Sequence, residues 1–118
     1  MEKRRMFFAA LAIALLTLGA HIQMVYAHPP QDVQLAYNIQ TQTLTVTITH
    51  KTPFAFHYIN SVVIKKNGMA ISANNYDKQP DPATFSYTYQ IPAGAGDSLE
   101  VTANCSLSGS KTASIDVK

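Results

Sequence analysis

Apolar and β-branched side chains recur at every second position in short runs, and no helical period follows residue 27. A two-residue period places successive side chains on opposite faces of an extended chain, so each run can bury one face and wet the other. Val33, Leu35 and Tyr37 alternate with polar residues. Leu44, Val46 and Ile48 alternate with Thr43, Thr45, Thr47 and Thr49, whose branched side chains suit a half-exposed pleated face. Continuing that period puts His50 on the apolar side at the strand's end. Phe85, Tyr87, Tyr89 and Ile91 form another run. Leu99, Val101, Ala103, Cys105 and Leu107 share one parity, so Cys105 points with that strand's apolar residues. Ile115 and Val117 begin a last strand.

Turn signals separate these runs. Residues 38–42 are polar apart from Ile39 and turn-like, which makes the first two strands a hairpin. Asn67-Gly68 divides residues 58–66 from 69–73, and both turn positions accept positive φ, the strongest short hairpin signal. Residues 74–82, with Asp77, Pro80, Asp81 and Pro82, form a loop. Pro92-Ala93-Gly94-Ala95-Gly96-Asp97 and Ser108-Gly109-Ser110 supply further turns. About seven short strands predict an all-β fold, an immunoglobulin-like antiparallel β-sandwich. The 118 residues allow one domain, with no internal repeat or long linker.

The first 27 residues read differently. Lys3, Arg4 and Arg5 precede an apolar stretch at 6–20, and Val25-Tyr26-Ala27 fits a signal-peptidase site. The expected division is a signal peptide at 1–27 and a mature domain at 28–118, periplasmic or secreted, with no stable membrane span after cleavage. No cysteine stands directly after the apolar stretch, which excludes a lipoprotein. The mature domain carries six Lys and no Arg against five Asp and one Glu, so its side chains balance. The net positive charge of the whole chain belongs to the leader. No basic stripe is present for nucleic acid, and no charge run suggests a polyanion. With Cys105 alone, no internal disulfide can form. The thiol is left to pair with another molecule, to lie buried, or to bind metal.

The residues able to hold a metal are His28, His50, His57 and Cys105. Imidazole nitrogen and thiolate sulfur are the ligands preferred by iron, copper and zinc. His50 and His57 flank one loop. On residue types and spacing alone two readings stay open, a metal site or two loop histidines and a small core cysteine. Other residues have plainer roles. Phe54 and Phe56 are expected to pack over the sandwich end, and Tyr58 at a strand start. Lys51 is a loop lysine, and Lys65 and Lys66 solvate a hairpin end. Ser108 lacks the Gly-x-Ser-x-Gly context of a hydrolytic nucleophile.

Taken in order, His28-Pro29-Pro30, His50, His57-Tyr58-Ile59 and Cys105-Ser106-Leu107-Ser108-Gly109 resemble the iron-binding domain of superoxide reductases, the desulfoferrodoxin and neelaredoxin family. The resemblance runs through nearly all of the mature chain. It implies an immunoglobulin-like sandwich holding mononuclear non-haem iron, with His28, His50 and His57 in a plane and Cys105 on the axis. It implies an oxidoreductase that reduces superoxide to peroxide at an open iron position, with an electron donor of unknown identity. Three features depart from the family's pattern. Ser108 stands where a fourth planar histidine is expected. The loop after His50 reads Thr52-Pro53-Phe54-Ala55-Phe56 rather than polar and charged. Ala27 stands where the family often has lysine. Cleavage after Ala27 would free the α-amine of His28, a nitrogen that favours copper. The expectation is an exported, superoxide reductase-like iron protein. The alternatives are a non-catalytic periplasmic β-sandwich binding or assembly module, and a copper-binding protein using the mature His28 terminus.

Overall fold

The computed structural model describes residues 28–52 and 56–118. The leader expected at 1–27 and the packing expected of Phe54 lie outside these residues. The strands are β1 (Asp32–Asn38), β2 (Thr43–Thr49), β3 (Ile59–Lys66), β4 (Met69–Asn75), β5 (Thr84–Gln90), β6 (Ser98–Cys105) and β7 (Ser110–Asp116). They form an antiparallel β-sandwich. One sheet has the order β1-β2-β5 and the other β4-β3-β6-β7. In a constant-type immunoglobulin domain the fourth strand joins the first sheet. Here β4 pairs with β3 instead. The segment between β4 and β5 therefore crosses from one sheet to the other, past the start of β3.

The turns follow from local chemistry. Asn38 Oδ1 accepts the backbone N–H groups of Gln40 and Thr41, at 3.0 and 3.2 Å, which starts the reversal between β1 and β2. Asn67 and Gly68 have φ of 53° and 83°, the two left-handed positions of a tight hairpin turn. Asn67 Oδ1 also accepts the N–H of Ser98, tying that turn to the start of β6.

The core lies between the sheets. Leu44, Val46 and Ile48 of β2 are fully buried, while the threonines between them are half-buried. They face Ile59, Val62 and Ile64 of β3 and Leu99, Val101 and Ala103 of β6, all without exposed surface. Burying a side chain of this size contributes roughly 1.5–3 kcal/mol. On β3 the inward step from Ile59 to Val62 spans three residues rather than two. The cause is a bulge: Ile59 lies opposite Cys105 and Ser61 opposite Asn104, leaving Asn60 as the extra residue. Bulges of this kind re-aim side chains and are frequent beside functional sites.

Three expectations need correction. Strand β6 ends at Cys105, and Leu107 lies past it on the turn, 57 % exposed, so the shared parity does not carry it into the core. Strand β7 starts at Ser110, not near Ile115. Its first half pairs fully with β6, but Ser110, Lys111 and Thr112 offer no apolar alternation to reveal it. Phe56 is 76 % exposed rather than buried over the sandwich end. Among the described residues, no helix is long and apolar enough to cross a membrane.

Candidate metal centre

Four segments deliver side chains to one end of the sandwich. His28 precedes β1, His50 follows β2, His57 precedes β3 and Cys105 is the last residue of β6. Antiparallel pairing makes these ends coincide, because Asp32 at the start of β1 pairs with Thr49 and Ile59 pairs with Cys105. His50 keeps the inward parity of Ile48 and is fully buried. Its N–H donates to the carbonyl of Ala83 at 2.8 Å, holding the backbone in place past the strand end. Beyond Cys105, Tyr58 and Ser106 lock their segments together. Tyr58 N–H donates to Ser106 Oγ at 3.0 Å, and Ser106 N–H donates to the Tyr58 carbonyl at 2.8 Å. That pair holds His57 and Cys105 side by side across the end of β3 and β6.

The ring centroids of His50 and His57 are 4.8 Å apart, and the His28 centroid lies 5.5 Å from the first and 5.1 Å from the second. His57 Nδ1 is 3.3 Å from Cys105 Sγ. His57 and Cys105 are buried and His28 is exposed. The ligand atoms of His50, His57 and Cys105 all lie within 4.8 Å of one another. Atoms about 2.0–2.3 Å from a single ion are no more than about 4.5 Å apart, so the cluster is nearly at coordination spacing.

The residues' own chemistry fits a metal. His50 Nε2 is the one buried side-chain nitrogen or oxygen left without a hydrogen-bond partner among the described residues. Leaving such a group unsatisfied costs roughly 1–3 kcal/mol, and a coordinate bond would offset that cost. His57 is held below the usual histidine range, first by burial and then by the neighbouring His50 and His28 rings. The neutral ring keeps a lone pair, which is what a metal requires of it. Two imidazoles and a thiol form a nitrogen and sulfur donor set suited to iron, copper or zinc.

Among solved structures, the chain is similar in fold to superoxide reductase (neelaredoxin) from Ignicoccus hospitalis. The identity is 15 %, over 80 % of that chain and 77 % of this one, with a TM-score of 0.48. Two single-substitution variants of the same protein are similar at 15 % and 16 % identity. They cover 77 % and 82 % of this chain and 79 % and 84 % of theirs, with TM-scores of 0.48 and 0.47. No family model and no curated protein matches the sequence.

All four residues singled out in the sequence meet here, His50, His57 and Cys105 as a buried trio and His28 at its open side. Ser108 is exposed on the turn between β6 and β7. One contributor was missed. Gln79, in the crossing between β4 and β5, bonds the ring and the backbone of His50 and the backbone of Ile59. A glutamine between Lys78 and Pro80 carries no local signal of that role. It becomes visible only when the crossing segment is seen to pass the site. Gly109 was read only as part of a turn. It has φ of 85°, and a Cβ built on it would lie 2.9 Å from Pro29 Cβ, so the turn and the segment bearing His28 are in close contact.

Proposed function

We propose that this chain is an exported, superoxide reductase-like protein that holds a mononuclear non-haem iron on His50, His57, Cys105 and His28. The observation that carries this reading is the convergence of three imidazoles and a cysteine sulfur from four separate segments, around a buried His50 Nε2 with no hydrogen-bond partner. The leader-like first 27 residues support export. The order of the His-Pro, His-Tyr-Ile and Cys-x-x-Ser-Gly elements along the chain supports the superoxide reductase assignment.

When bound, iron would supply the single electron that, with two protons, converts superoxide to hydrogen peroxide, and an external reductant would restore that electron. The protein's part is to bind and orient. Cys105, last in its strand and buried, offers a sulfur ligand shielded from other thiols. His57 offers a neutral ring because burial disfavours its cation. His28 closes the exposed side, where a small anion would approach. Ser108 brings no fourth imidazole, so the site has fewer nitrogen donors than the family pattern.

The test is metal analysis of protein prepared anaerobically from the periplasm, followed by oxidation. A thiolate-to-ferric charge-transfer colour should develop and vanish in Cys105→Ser, because that band needs the sulfur ligand. Rapid superoxide consumption with peroxide formation should accompany it. Protein that stays colourless and takes up no iron on reconstitution would sink the iron reading. Tight copper uptake dependent on a free His28 amine would put the copper-binding alternative in its place. Iron binding without superoxide turnover would leave a non-catalytic binding module.

A further inference from the structure

The amide of Gln79 makes four hydrogen bonds. Its Nε2 donates to the carbonyls of His50, at 3.1 Å, and Asp81, at 3.0 Å. Its Oε1 accepts the backbone N–H of Ile59 at 2.9 Å and faces His50 Nδ1 at 2.5 Å. Carbonyl oxygens only accept and a backbone N–H only donates, so three of these contacts fix which end of the amide is oxygen. The fourth then has one solution. Oε1 cannot donate, so His50 Nδ1 must carry a ring proton. A neutral imidazole carries one ring proton, which leaves Nε2 with a bare lone pair. That nitrogen is buried without a hydrogen-bond partner, on a ring that belongs to the ligand cluster.

We propose that Gln79 is a positioning residue that locks His50 in its Nδ1–H tautomer and so presents Nε2 to the metal centre. The inference rests on the reading of this cluster as a metal site. It concerns a bond that exists before any metal arrives. Gln79 clamps the same residue twice, at the ring and at the backbone carbonyl, so it sets ring orientation as well as tautomer. Its bond to Ile59 ties that clamp to the bulged start of β3, next to His57. Groups that hold a ligating ring by its second nitrogen in this way tune affinity without touching the metal.

The first measurement is nitrogen and carbon NMR of metal-free protein with labelled histidine, above the pH range where imidazole protonates. His50 should be a single Nδ1–H tautomer in the native protein. Gln79→Met should shift it to a mixture, and Gln79→Glu, which keeps an acceptor oxygen, should retain the Nδ1–H form. Cobalt(II) titration should show roughly 10–100-fold weaker binding in Gln79→Met and substantial recovery in Gln79→Glu. A mixed or Nε2–H tautomer in native protein that still binds cobalt would overturn the role of Gln79 alone. A locked tautomer in native protein that binds neither cobalt nor iron would overturn the metal centre, and with it any role for Gln79 toward a metal. If Gln79→Met does not fold, the native tautomer and Gln79→Glu still decide.

Discussion

Two glycines separate backbone strain from positioning. Gly96 and Gly109 both have positive φ, 92° and 85°, which costs an L side chain about 1–2 kcal/mol. Beyond that they differ. Alanine at 96 would meet open space, whereas at 109 it would meet Pro29 Cβ at 2.9 Å and Pro29 Cα and N at 3.0 Å. Backbone cannot swing aside as a side-chain tip can, so Gly109→Ala must displace the segment carrying His28. Gly96→Ala should lose about 1–2 kcal/mol in urea unfolding, and Gly109→Ala more than that, because the clash with Pro29 adds to the same φ cost. Gly109→Ala alone should also weaken cobalt or iron binding, by roughly tenfold. Equal metal affinity in the two variants would mean that His28 contributes little to the centre.

At the level of elements, the end of the sandwich opposite the histidines is held by a carboxylate clamp. Asp97 Oδ2 accepts the N–H of Gly94 and Oδ1 accepts from Asn67 Nδ2, each at 2.9 Å. The β3–β4 turn is thereby joined to the turn before β6. These bonds favour the ionised form, the backbone bond from Gly94 most, so the Asp97 pKa lies below the usual aspartate value. A depressed carboxylate pKa contributes stability that is complete above the unfolded value and lost as pH falls through the folded one. Unfolding free energy should therefore decline as pH drops from about 5 to about 3, and Asp97→Asn should show a shallower decline over that window. Parallel slopes in chemical denaturation would rule out this linkage.

At the level of the whole molecule, the candidate centre joins the two sheets. His50 extends β2 of the three-stranded sheet, while His57 and Cys105 belong to β3 and β6 of the four-stranded one. An ion bound to all three would link the sheets at that end, in a small domain with no internal disulfide. Free iron(II) at 100 times its Kd should stabilise the anaerobic protein by about 2.7 kcal/mol, a rise in melting temperature of roughly 10–20 °C. His50→Ala should abolish most of that increment while leaving the apo protein folded. Leu99→Ala should act differently. It removes a fully buried side chain and should cost about 2–5 kcal/mol with or without metal.

The strand content was legible because a period of two is a local property. Leu44, Val46 and Ile48 announce a buried face without help from distant residues, and Asn67-Gly68 announces its own turn. The same logic placed His50 and Cys105 inward before any tertiary contact was known. It failed where local pattern and environment part company. Leu107 keeps the parity of β6 but lies beyond its end, and Ser110 to Thr112 form a strand whose side chains need no apolar face. The meeting of His28, His50, His57 and Cys105 was implied by family resemblance rather than by spacing, since 77 positions separate the first from the last. Sequence alone thus determined which residues could be strands, which faces they bury and which donors were available. Tertiary structure decided that β4 joins β3, that the crossing segment carries Gln79 past His50, and that one ring nitrogen is left bare. Those outcomes depend on hydrogen bonds between segments far apart in the chain, and no local period records them.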